Sequence, residues 1–201
     1  MPDPSGYTWN TGSRRYHSAN GQFVPQAKIR QALENVAETA SLDADAATRA
    51  LQAGEINTVE WAIRVKASIK AAHTANAAVA AGGWRQLTQS DLGTLGSRLR
   101  RVYADLDALE REIGAGAPVD HRTLQRVRHH IGWSVGTHEA IQRKRAAKAG
   151  ATEEKRILGG KNHCDQCLDY AALGWRPIGF LPGIGEDCAC RGNCRCKFIY
   201  K

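Results

Sequence analysis

Residues 88–114 read TQSDLGTLGSRLRRVYADLDALEREIG, and this stretch decides the fold class. Leu92, Leu95, Leu99, Val102, Leu106, Leu109 and Ile113 recur at alternating spacings of 3 and 4. A strand repeats every second residue, so this is the seam of a helix, written a/d over three heptads. Thr88 with Asp91 three residues later has the form of a helix start, and Gly114 of a stop. Such a seam needs a partner, either the next helix or one from a neighbouring subunit.

The next helix is expected after Pro118, with Asp120 as its cap, and runs to about Gly150. Leu124, Val127, Ile131, Val135 and Ile141 form its apolar side. An antiparallel pairing of these two helices across GAGAPVD (residues 114–120) is the natural arrangement. Gly93, Gly96, Gly132 and Gly136 lie inside them, each costing about 0.5–1 kcal/mol relative to alanine. Close backbone approach at a helix crossing would offset that.

Upstream, Asn57 and Glu60 mark the start of another helix, with an apolar stripe of Trp61, Val65, Ile69, Ala72 and Val79 and an end at Gly82–Gly83. Before it the sequence predicts two helices: one from Pro25 through QAKIRQALENVAETA, and a short one over DADAATRALQA that stops at Gly54. Residues 1–24 read as an extended arm, with Pro2, Pro4, Gly6 and Gly12 among polar residues. The arm also holds Tyr7, Trp9, Tyr16 and Phe23, which need a docking place on this chain or on another subunit. Asn20–Gly21 between RYH and QFV fits a tight hairpin turn.

Past residue 157 the composition changes. Glycine rises, helical periodicity stops, and GWRPIGFL and RCKFIY read as short strands. The expected architecture is therefore mainly α, an elongated helical hairpin or bundle. It has an extended arm over 1–24, a helical domain over 25–156 and a small cysteine-rich, zinc-binding α+β module over 157–201.

All six cysteines fall in that module. Cys164 and Cys167 have the two-residue gap that lets both sulfurs face one ion. Cys188, Cys190, Cys194 and Cys196 follow after 20 residues. Disulfides need an oxidising compartment, and the N-terminal sequence lacks the apolar core of an export signal, so a soluble protein made in a cytoplasm is expected. A structural zinc ion is the preferred reading, since it stabilises a segment too small to fold on its own core. Cys164 and Cys167 are its first ligands, and Cys190, Cys194 and Cys196 supply the other two. Cys188 is a spare or an alternative. His163 adjoins Cys164 but points differently along the chain.

No histidine follows His163, which argues against a zinc enzyme or a histidine-metal nuclease. Phosphate-binding loops and serine-nucleophile elbows are missing too. His121, His129, His130 and His138 form only a weak cluster. The chain is thus not expected to be an enzyme. Its net charge of +8 is one-sided: residues 1–120 hold 13 Lys/Arg against 13 Asp/Glu, and residues 121–201 hold 15 against 7. Arg143, Lys144, Arg145 and Lys148 make QRKRAAKAG the most basic segment, a candidate nucleic-acid contact. The plainer reading is cations at the negative end of a helix dipole.

Three segments together resemble a known family. HCDQC (163–167), GWRPIGFLPGIGEDC (174–188) and GNCRCKFIY (192–200) are similar to the C-terminal module of tailed-phage head-morphogenesis, or minor head, proteins. RRYHSANGQFVPQAKIRQAL (14–33) looks like the opening of some phage proteins of this kind. Many members carry Pro-Pro-x-His-Pro-Asn before the Cys-Arg-Cys, where this chain has CACRGN, so a histidine-dependent role of that loop is not carried over. The resemblance implies a virion component inside the capsid or at the head–tail vertex. Its expected partners are the portal, other capsid proteins, further copies of itself and packaged DNA, with no membrane. A cytoplasmic zinc-containing nucleic-acid-binding regulator is the alternative, and a small toxin or nuclease the third reading.

Overall fold

The computed structural model describes residues 7–10, 13, 15–160, 162–186 and 188–201. Pro2, Pro4, Gly6 and Gly12 of the expected arm lie outside them. The protein is mainly helical, with small antiparallel sheets and a cysteine cluster near its C-terminus.

Helix α1 runs unbroken over Gln26–Gln52, where two helices were expected. Ser41 and Asp43 are residues that favour caps, but the buried stripe Ala40, Ala44, Ala47 and Thr48 continues through them and carries the helix on. Helix α2 spans Thr58–Ala81. Asn57 caps it by accepting from the Glu60 amide at 2.9 Å, and Gly82 closes it in the left-handed conformation at φ 84°. From Ala72 onward almost every residue of α2 is buried, because its run of alanines lets neighbours approach on every side. It packs against α1, α3 and the two helices that follow.

Helix α3 covers Gln89–Gly114 and opens with a complete capping box between Thr88 and Asp91. Six of its seven seam residues are buried, and Leu92 is exposed. The seam lies mainly along the preceding helix α2 rather than the following one. Tyr103 Oη donates to Lys66 O, and Lys66 pairs with Asp107 at 2.5 Å. The expected helix over 120–150 is two: α4 (His121–Gly132) and α5 (Ser134–Lys148), separated at Trp133.

The arm is not simply extended. Strands β1 (Tyr7–Asn10), β2 (Arg15–Ser18) and β3 (Phe23–Val24) form an antiparallel sheet, with Asn20–Gly21 in the β2–β3 turn. It docks on this chain's own body: Tyr16 is buried, and its hydroxyl donates to Val79 O at 2.8 Å. A second sheet, in the order β5–β4–β6, joins β4 (Glu153–Ile157), β5 (Arg176–Pro177) and β6 (Lys197–Tyr200). Strand β4 thus takes residues 153–156 into the sheet of the cysteine-rich module. Helix α6 (Asp165–Ala172) lies between β4 and β5. Among the described residues no helix is long and apolar enough to cross a membrane.

Candidate metal centre

Each cysteine is held by a local device. Cys164 stands at the N-cap of α6, and its carbonyl accepts from the Cys167 amide at 3.0 Å. The two-residue gap therefore folds as the first helical turn. Cys188 and Cys190 lead into a 3₁₀ turn, Arg191–Asn193, in which Arg191 adopts φ 45°. Successive amides bond back across it: Arg191 to Cys188 O, Asn193 to Cys190 O, and Cys194 to Arg191 O. Gln166 Oε1 accepts from the Ala189 amide at 2.8 Å and ties this turn to α6. Cys196 immediately precedes β6.

These devices bring all six thiols together, all reduced. The sulfurs of Cys164, Cys167, Cys188 and Cys190 lie within 4.8 Å of one another, and so do those of Cys167, Cys194 and Cys196. Cys167 belongs to both groups. Its sulfur is 4.0 Å from that of Cys190 and 3.7 Å from that of Cys194. Cys188, set aside in the sequence as a spare, sits in the four-thiol group. Cys164 and Cys190 are half-buried and the other four are buried.

The environment splits their acidities. A thiol hydrogen bond from Cys196 lowers Cys194 to about 5. Burial pushes Cys167, Cys188 and Cys190 up. Burial opposes a charge on Cys164 as well, but hydrogen bonds, first from the Cys167 amide, bring it down to about 7. Six crowded thiols do not ionise together unaided; a bound cation supplies the charge that lets them do so. The cluster is able to hold a metal ion.

The sequence reading missed the groups around the cysteines. Arg156 is buried on β4; it donates to Cys167 Sγ at 3.7 Å and to Pro182 O at 2.5 Å, and packs over Tyr170 and Phe198. Glu154, two residues earlier on the same face, is fully buried and accepts from the amides of Gly179 and Leu181. Its other oxygen lies 2.7 Å from Arg143 Nε, an ion pair by distance, though the N–H is not aligned for a hydrogen bond. The signal was a pair of opposite charges at strand spacing in EEKRI, within a segment assigned to the helical domain.

The module rests on the helical body. Arg98 of α3 pairs with Glu186 at 2.5 Å, and Glu139 of α5 accepts from the Phe198 amide at 3.1 Å. Gly132 and Gly136 have their close approach here and not at a helix crossing. A Cβ at Gly132 would lie 2.5 Å from Gly192 O, and one at Gly136 2.8 Å from Ile184 O. Gly93 and Gly96 face open space.

Three of the four residues offered as nucleic-acid contacts bond within the chain. Arg143 donates to Leu181 O and stacks over Phe198, with its guanidinium carbon 4.2 Å from the ring centroid. Lys144 donates to Thr94 Oγ1, and Arg145 to Ala81 O, Gln86 O and Asp91. Lys148 is exposed in the last turn of α5. Glu186 of the acidic pair near Cys188 is the partner of Arg98, while Asp187 lies outside the described residues.

Comparison with family models, with curated proteins and with solved structures finds no match to this chain.

Proposed function

We propose that this chain is a structural minor head protein of a tailed phage, made in the host cytoplasm. It acts at or near the portal inside the capsid, in head assembly and in genome packaging or delivery. The observation that carries this reading is the fusion of two features. The Cys-x-x-Cys and Cys-Arg-Cys segments that resemble the minor head family fold as one internal clamp. That clamp is pressed backbone to backbone against helices α4 and α5. A centre whose sulfurs face each other, most of them buried, suits a scaffold more than a reaction site.

Zinc is the metal this reading assigns. Tetrahedral thiolate zinc, with bonds of about 2.3 Å, sets sulfurs about 3.8 Å apart. The Cys167 distances of 4.0 and 3.7 Å straddle that value. The DNA contact in this reading rests on the net charge of residues 121–201, since Arg143, Lys144 and Arg145 are engaged within the chain.

Mass spectrometry of purified particles of the encoding phage tests the assignment. The chain is expected at low copy beside the portal, and virions without it would end the head-protein reading.

A further inference from the structure

One tetrahedral ion does not use the sulfurs present. Cys164, Cys167, Cys188 and Cys190 complete a four-thiol set. That leaves Cys194 and Cys196, only 2% and 3% exposed, grouped with the same Cys167. Buried cysteines often act as small apolar side chains. Such cysteines have no reason to converge on a sulfur already serving another group. Here the Cys167–Cys194 separation, 3.7 Å, is as near the tetrahedral edge as the Cys167–Cys190 separation, 4.0 Å. Cys188 also turns to both sides, with thiol contacts to Cys167 and to Cys194.

The ligand count points the same way. Two tetrahedral ions have eight ligand positions, and six thiolates fill them only when two are shared. Cys167 belongs to both groups, and Cys188, a member of the first, also contacts Cys194 of the second. Arg156 adds an independent sign. Among the described residues its buried guanidinium meets the neutral carbonyls of Pro182 and Gly183, and one other acceptor, Cys167 Sγ. A buried cation needs an anionic neighbour, and a bridging thiolate at the centre of the cluster provides it. Two divalent ions with six thiolates leave a net negative charge for Arg156 to face.

We propose that the module holds a binuclear thiolate centre. One divalent d10 ion sits among Cys164, Cys167, Cys188 and Cys190. A second sits among Cys167, Cys188, Cys194 and Cys196, so that Cys167 and Cys188 bridge. Loading moves the thiol protons to solvent and changes no oxidation state. The inference rests on the metal-centre part of the proposed function and is independent of the virion assignment.

Zinc titration of the full chain, followed by native mass spectrometry, is expected to saturate at two zinc ions per chain with all six thiols protected from iodoacetamide. Cadmium-113 substitution is expected to give two signals coupled to each other through the shared sulfurs. The Cys194→Ser variant is expected to keep one ion. A wild-type chain that stops at one zinc, with Cys194 and Cys196 open to alkylation, overturns the binuclear centre and leaves a single-metal clamp standing. Two uncoupled cadmium signals overturn the bridges. A folded chain that takes no zinc overturns both the centre and the metal part of the proposed function. Should Cys194→Ser not fold, the two wild-type measurements still decide.

Discussion

His73 shows how tightly single residues are fixed in the body. It lies on α2, 1% exposed, and its Nε2 donates to His130 O at 3.1 Å while Nδ1 accepts from Thr137 Oγ1 at 2.8 Å. Both ring nitrogens are satisfied in the neutral form. Burial lowers the pKa to about 4. Between pH 6.5 and 4 the unfolded chain takes up a proton that the folded chain refuses, so stability falls as pH drops through this window. It levels off below the folded value. The full effect is about 3 kcal/mol at 1.36 kcal/mol per unit. Urea unfolding across this range is expected to show that slope in the wild type and a shallower one in His73→Gln. Comparing the two cancels the acid effects both share, release of ions from the proposed metal centre included. At this scale the sequence exposed the cysteines, because their spacing is local. It hid His73 and Arg156, whose roles come from groups far along the chain.

The helical elements divide by whether their limits are written locally. Asn57, Thr88 and Asp120 cap their helices as expected, because a cap is a bond within four residues. The merger of two expected helices into α1 was not legible, since burial of Ala40, Ala44 and Ala47 against other helices outweighs the turn preference of Ser41 and Asp43. Nor was the break at Trp133, where the helix meets the turn around Gly192, about 60 residues later. The glycines make this testable. Gly132→Ala and Gly136→Ala force a Cβ against backbone oxygen and are expected to destabilise by about 1–3 kcal/mol each. Gly93→Ala and Gly96→Ala meet nothing and are expected to stabilise by about 0.5–1 kcal/mol each. Denaturant midpoints of the four variants check the contrast.

For the whole molecule, the helical body has an apolar core running from Ala40 to Ile141, while the core of the C-terminal module is made largely of its own cysteines. On the proposed metal centre, stripping the ion with a chelator should therefore melt the two unequally. New proteolytic cuts are expected within residues 153–201, with most of the far-UV helical signal retained; simultaneous loss of both would contradict separate support. Mainly helical architecture and a thiol-bearing tail were both foreseeable from periodicity and composition. The choice of α2 as the hub was not. Its stretch AAHTANAAVAA (71–81) carries a weak stripe, and small residues declare a crowded site only when their neighbours are known.

That hub has a kinetic corollary. With α1, α3, α4 and α5 packed around it and the β1–β3 sheet resting on Val79, the second half of α2 has few routes to solvent short of opening the whole body. In deuterium exchange the amides of Ala75–Ala81 should be the last to label, at the rate of global unfolding, while the exposed turn around Gly116 labels within the first time points.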